Sequence, residues 1–329
     1  MFGHRPPLTS GPATGSYVVT LGESLGLAVG PDATPLVHAA GLRLGIGGAE
    51  SNVAIGLRRL ETPVTWIGRL GCDSIGSLVL RELRAEQVDL HVTIDQEMPT
   101  ALMVKERPAA GRSKVQYYRS GSAGSRLSPD DLSRDLIEGA SVLHCTGITA
   151  ALSESCLQAV RCAIDWAKDR GRISFDVNHR NALWIDRDPE PIYRELAAAS
   201  DVMFAGLDEA AFLLGRPVSD PHVALDELLD VSGGDVIVKL GSDGCLASVD
   251  GLRFEVPAIP VPVVDTVGAG DAFVAGYLAE LVAGKNPAER LDTAVRCGAL
   301  ACLSAGDWEG LPHRHDLRTW TADADPVER

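Results

Sequence analysis

Apolar and polar positions follow two different periods along this chain, and the changes of period divide it into elements. Short apolar runs closed by glycine or polar residues predict strands at YVVTLGES (17–24), PVTWIGRLG (63–71), ASVLHCTG (140–147), RISFDVN (172–178) and DVMFAG (201–206). Helical spacing appears in ESNVAIGLRRL (50–60), DSIGSLVLRELRAEQ (73–87), SESCLQAVRCAIDWAKDRG (153–171), PIYRELAAA (191–199) and LDEAAFLLG (207–215), with Asp73 placed as an N-cap. DVIVKLGSDGCLASVDGLRFEV (235–256) reads as three strands joined by glycine turns. Two long helices follow at 270–284 and 287–304, then a short one in HRHDLRTWTA. Strand-then-helix alternation predicts an α/β protein with a doubly wound, mostly parallel sheet and helices on both faces. Residues 24–47 and 89–121 interrupt that rhythm with short strands and turns, and are expected to form a small β-sheet lid. The α/β domain would then comprise 17–23, 48–88 and 122–320, with tails at 1–16 and 321–329.

Composition narrows this picture. Hydrophobic residues make up 45% of the 329 positions but aromatics only 5%, so Val, Leu, Ala and Ile must fill the core, as suits a covered parallel sheet. The formal charge of −15 argues against a nucleic-acid or anionic-membrane footprint. An anionic substrate would need local arginines to receive it. Seven cysteines, none at CxxC spacing, read as small buried residues in a reducing compartment. The first sixteen residues lack the apolar core of a signal peptide, and no apolar run reaches the length of a membrane span. A cytoplasmic location is expected.

The chemistry concentrates in VVDTVGAGDAFVAGYLAEL (263–281), where Gly268 and Gly270 open an apolar helix. Each glycine inside a helix costs about 1 kcal/mol against alanine, so helix stability does not ask for them. A first helical turn has unpaired N–H groups and binds anions, and glycine lets the backbone approach a ligand. The amides of Gly268, Ala269 and Gly270 would hold charge on transferred oxygens while Asp271 takes a hydroxyl proton. A bare N-cap aspartate fits the same four residues. No GxxxxGK[ST] occurs, and position 273 is Phe where a dinucleotide fingerprint needs its third glycine, so a nicotinamide oxidoreductase is disfavoured. In GIGGAESNVAIGLRRL, Gly48 allows close approach, and Glu50 and Asn52 are candidate hydrogen-bonding partners for a polyhydroxy ligand. His144, His179, His313 and His315 lack a metal-ligand spacing, and Cys145 has no basic partner in sequence.

GGAESNVAIGLRRL and DTVGAGDAFVAGYL together resemble the two signatures of the PfkB, or ribokinase-like, carbohydrate kinases, and the resemblance runs from about Val18 to Leu317. It implies a ribokinase-like fold with a β lid, Asp271 as catalytic base and the 268–270 amides as anion hole. It further implies ATP and Mg²⁺, leaving open a monovalent cation such as K⁺. Asn178, Lys239, Gly241, Ser242 and Gly244 fall on nucleotide-side positions. Glu209 falls where the family organises the metal through water. Homo-oligomers through the lid occur in the family.

Within that family, YYRSGSAGSRLSP, LHCTGITAALS, FDVNHRNALW and GDWEGLP are similar to segments of 2-keto-3-deoxygluconate kinases. That likeness implies a sugar-acid pocket of Gly48, Glu50, Asn52, Tyr117, Arg119, Arg180 and Asp307, with planar arginine suited to a carboxylate. Three positions depart from the pattern: Gly206 for an Asn, Met103 for a substrate tyrosine, and Val295 for a nucleotide-side Asn. The expected reaction is ATP-dependent phosphorylation of a primary hydroxyl of a sugar acid. A kinase for fructose, ribose or a nucleoside, and a non-catalytic nucleotide or sugar-acid sensor, stand as alternatives.

Overall fold

The computed structural model describes residues 8–9, 16–31, 34–109, 112–185 and 187–319. Its strands are β1 (Leu8–Thr9), β2 (Val18–Leu21), β3 (Leu25–Val29), β4 (Arg43–Gly47), β5 (Val64–Gly71), β6 (Asp89–Asp95), β7 (Leu102–Ala109), β8 (Arg112–Tyr118), β9 (Val142–Thr146), β10 (Arg172–Asp176), β11 (Val202–Gly206), β12 (Asp235–Lys239), β13 (Cys245–Val249) and β14 (Leu252–Val256). The helices are α1 (Ala49–Arg59), α2 (Ser74–Ala85), α3 (Arg134–Glu138), α4 (Gly147–Leu152), α5 (Glu154–Ala167), α6 (Glu190–Ala198), α7 (Leu207–Leu214), α8 (Pro221–Leu229), α9 (Ala269–Val282), α10 (Pro287–Ala301) and α11 (Arg314–Thr319).

The large sheet runs β1-β6-β5-β2-β9-β10-β11-β12-β13-β14, parallel from β6 to β12 and antiparallel at both edges. Alternate residues of its strands face opposite layers. Val18, Trp66, Val142, Phe204 and Ile237 pack with α1, α2, α9 and α10 on one side. Val19, Leu143, Phe175, Met203 and Val236 pack with α5, α6 and α8 on the other. Helix α9 is buried nearly all round from Asp271 to Leu281, which explains why its sequence is apolar on every face. Phe204 meets Tyr277 edge-on at 5.3 Å and so fastens α9 to the middle of the sheet. The Asp73 carboxylate accepts from Gly76 N at 2.7 Å, the cap expected for α2.

A separate four-stranded sheet, β4-β3-β7-β8, forms the lid. Leu25, Leu27, Val29, Ala101 and Met103 make its own small core. The second lid segment is shorter than the expected 89–121. Residues 89–95 are β6, which lies parallel to β5 in the large sheet, because α2 and the short turn after it carry the chain back alongside β5. Within the expected N-terminal tail, Leu8 and Thr9 pair with Val92 and His91 along β6. The remainder of that tail up to residue 15, and 320–329, lie outside the described residues.

Candidate active site

The carboxyl ends of the central strands, the start of α9 and the underside of the lid enclose two adjoining cavities. The first, about 590 Å³, is lined by Gly48, Asn52, Tyr117, Arg119, Asn178, Arg180, Gly268, Gly270, Asp271 and Asp307, all expected at a site, and by Glu209 and the departures Met103 and Gly206. The second, about 510 Å³, has a more apolar wall of Ala258, Ile259, Val261, Phe273 and Val295, with Ser242, Gly244 and Ala269 at its polar end. Lys239, Gly241, Thr266 and Gly270 line both. Open parallel sheets place ligand crevices at this end of their strands.

Asp271 stands in the first turn of α9, 9% exposed. Asn52 Nδ2, from α1, donates to its Oδ2 at 2.8 Å, and Asn178 Nδ2 reaches Oδ1 at 3.4 Å. Asn178 has a left-handed backbone (φ 39°) that turns its amide inward after β10. Burial and the charge of Asp176 push the Asp271 carboxyl up, while Asn52, Arg180 and Lys239 pull it back, leaving it at about 6. Gly268, in left-handed conformation at φ 78°, is the N-cap of α9. A Cβ there would drive into the carbonyl oxygen of Asp307, so the turn needs glycine on both counts. Asp307 is itself buried, its Oδ1 has no protein partner, and desolvation raises it to about 7 against the pull of Lys105.

One expected placement is corrected. Glu50 does not line either cavity. It is fully buried in the first turn of α1, where Thr146 Oγ1 donates to its Oε1 at 2.6 Å and Thr149 Oγ1 donates to the same oxygen. Burial raises its carboxyl to about 7, with the two threonine bonds and its own backbone amide opposing and the Asp271 charge adding. Asn178, expected on the nucleotide side, lines the first cavity beside Asp271. Helical spacing places Glu50 on α1 but does not reveal that the β9–α4 turn closes over it.

Other groups were not picked out from sequence. Glu23 follows β2, is 2% exposed, and accepts from Arg119 Nε at 2.9 Å, with a second bond from the same guanidinium. Arg119 also lies 4.9 Å above the Tyr117 ring. Lys105, on the same face of β7 as Met103, donates to Asp265 at 2.7 Å and ties the lid to the loop before α9. Asp176, at the end of β10, accepts from Lys239 Nζ at 2.7 Å. Asp208 joins Glu209 at the cavity wall. Both Glu209 oxygens accept backbone bonds, from His179 N at 2.7 Å and Gly206 N at 2.6 Å. A Cβ on Gly206 would meet the Asp208 carboxylate at 2.7 Å, so the glycine leaves those two acids room. Only strand pairing brings these groups together, and that information is non-local.

The remaining candidates fall outside the cavities. His144 is buried against Ser174, and burial followed by the Lys239 charge holds its imidazole down at about 3. His179 stacks on Phe212 at 3.7 Å, and His313 stacks on His315 at the surface. Cys145 is buried, and all seven cysteines are free thiols. Trp308 packs in the core under the Arg59 guanidinium. Among the described residues no helix is long and apolar enough to cross a membrane.

The sequence pattern of the pfkB family carbohydrate kinases matches residues 16–314. The chain is 38% identical to a 2-dehydro-3-deoxygluconokinase of Thermoproteus tenax over 90% of this chain and 91% of that protein. It is 34% identical to one of Bacillus subtilis over 92% and 94%. In structure it superposes on a putative ribokinase II of E. coli in complex with ATP and Mg²⁺, with a TM-score of 0.84, 25% identity, and coverage of 92% and 98%. Two signatures, the layered sheet with its lid, and a match over most of the chain agree: this protein belongs to the pfkB family of carbohydrate kinases.

Proposed function

We propose that this kinase transfers the γ-phosphoryl group of ATP to a primary hydroxyl of a sugar acid, 2-keto-3-deoxygluconate, giving its 6-phosphate. The observation that carries this reading is Arg180. Its guanidinium lines the Asp271 cavity with only the His179 carbonyl as hydrogen-bond partner among the described residues, at 3.1 Å. Asp271 feels its charge, but no carboxylate among the described residues is hydrogen-bonded to it. A guanidinium with its fork left open in the cavity of a molecule of charge −15 favours an anionic ligand. The names of the Thermoproteus tenax and Bacillus subtilis relatives agree with a keto-deoxy acid.

In this scheme Arg180 holds the acid end, and Asp307 and Asn52 face the sugar hydroxyls. The hydroxyl oxygen bonds to the γ-phosphorus as the bond to the β,γ-bridging oxygen breaks, ADP leaves with that electron pair, and Asp271 takes the hydroxyl proton. The N–H groups at Gly268–Gly270 face the transferred oxygens. The apolar wall around Phe273 and Val295 suits a nucleobase, which would use Val295 for packing and not for a hydrogen bond. Among the described residues no group of three or more His, Cys, Asp or Glu is arranged to grip a metal. Glu209 keeps outer lone pairs, and with Asp208 it fits an ion that retains its waters and sits mainly on phosphate. Magnesium would supply charge neutralisation there. Seven unpaired thiols suit a reducing cytoplasm.

One observation favours a second reading. Glu23 already neutralises Arg119, the other arginine expected at the carboxylate, as a neutral-sugar kinase would tolerate. A coupled ADP-release assay over 2-keto-3-deoxygluconate, its galactonate epimer, gluconate, fructose, ribose and adenosine separates the two. Turnover confined to the keto-deoxy acids, with Arg180→Ala raising their KM by about 10- to 100-fold, is the expected result; a charge-assisted hydrogen bond is worth about 1.5–3 kcal/mol. Turnover of fructose or ribose that Arg180→Ala leaves unchanged would overturn the sugar-acid assignment.

A further inference from the structure

Lys239 holds a position that its general assignment to the nucleotide side does not explain. It ends β12 and, among the described residues, is the one lysine or arginine that lines both cavities. Its Nζ would lie 3.9 Å from a Cβ placed on Gly270, which sets the ammonium against the first turn of α9, one residue from Asp271. Asp176 Oδ1 takes one of its three N–H donors. Gly206 is in register with Lys239 on the neighbouring strand and has no side chain to stand in the way.

We propose that Lys239 is a catalytic residue that contacts the phosphoryl group as it passes from one cavity to the other. This deepens the kinase reading and rests on it. A group transferred between the two ligands must cross the wall that they share, and Lys239 is the cation in that wall. In the transfer, the sugar oxygen–phosphorus bond forms, the bond from phosphorus to the bridging oxygen breaks, the electron pair leaves on ADP, and the proton goes to Asp271. Lys239 gives up no proton in this step. It meets negative charge on the phosphoryl oxygens, and Asp176 holds its ammonium in place. Asp176 first, then Glu209 and Asp271, raise the Lys239 pKa against the depression that burial causes, so the group stays charged.

The test uses Lys239→Gln, and Lys239→Met combined with Asp176→Asn, which leaves no buried carboxylate without its partner. Folding is checked by thermal melt. Calorimetry measures ATP and ADP affinity without any sugar, and the coupled assay measures kcat. The expected result is a preference for ATP over ADP that falls about tenfold or more in each folded variant. With it, kcat falls about 10²- to 10³-fold, the usual effect of removing one donor from such a site, and the KM for the sugar stays within a few-fold. Recovery of kcat to near wild type in the double variant would show that Lys239 only neutralises Asp176 and would overturn the proposal, as would an unchanged preference for ATP. Failure of the sugar-acid reading looks different: wild-type enzyme would turn over none of the acids, while the ATP-to-ADP comparison would still report on Lys239.

Discussion

At the scale of single residues, the site depends on how three buried carboxyls are kept from water. Asp271, Asp307 and Glu50 are all raised, chiefly by burial, but they meet different partners. Asp271 receives two amide donors, whereas one oxygen of Asp307 and one of Glu50 have no protein partner. As the proposed base, Asp271 must be ionised to accept a proton, so kcat/KM should fall on the acid side below about pH 6. Asp271→Asn should lower kcat about 10²- to 10⁴-fold and abolish that limb. A pH profile of both enzymes checks this, and an acid limb that survives in the variant would assign it to another group. The GAGD run made Asp271 legible in the sequence because glycines that oppose helix formation need a local reason. Glu23 and Asp176 were not legible, because an acid at a strand end looks the same whether it faces water or a lysine on another strand.

At the scale of elements, the start of α9 is held by contact with the loop that carries Asp307. A methyl at position 268 would collide with that loop's backbone and would also force a left-handed conformation that costs about 1–2 kcal/mol. Gly270 meets only the Lys239 ammonium, at 3.9 Å. Gly268→Ala should therefore lose more than about 1 kcal/mol of stability and most activity, while Gly270→Ala should keep or raise stability through its helix propensity. Urea melts with parallel assays distinguish them, and equal stability of the two would contradict the collision. Strand-and-helix rhythm found the central strands and the long helices, because each layer's residues repeat with the period of its own element, but it missed the short helices α3, α4 and α8 and the edge strand β1. It misassigned β6 because DLHVTID alternates like a lid strand, and only its pairing with β5 shows where it belongs.

At the scale of the molecule, acid groups dominate both the surface and the pH response. The raised carboxyls are protonated in the folded chain and ionised in the unfolded chain between the ordinary range near 4 and about 7. The unfolded state binds fewer protons in that window, so their contribution is complete below pH 4 and is lost as pH rises to about 7. Against their burial, backbone bonds together with the Thr100 hydroxyl lower Asp73, and backbone bonds together with Arg69 lower Asp95; both act oppositely at more acid pH. His144 and His91, held neutral by burial, act oppositely up to their ordinary value near 6.5. The urea midpoint of the ligand-free protein should thus fall between about pH 6.5 and 7.5, and Glu50→Gln should flatten the fall. A wild-type midpoint that rises across this range would show that these groups are not held protonated. The two cavities also adjoin along a shared wall of Lys239, Gly241, Thr266 and Gly270. Their occupants are therefore within tethering distance. A sugar acid joined to adenosine through a short phosphate chain would bring its second half to the protein at an effective concentration in the millimolar range, and would bind far more tightly than either half alone.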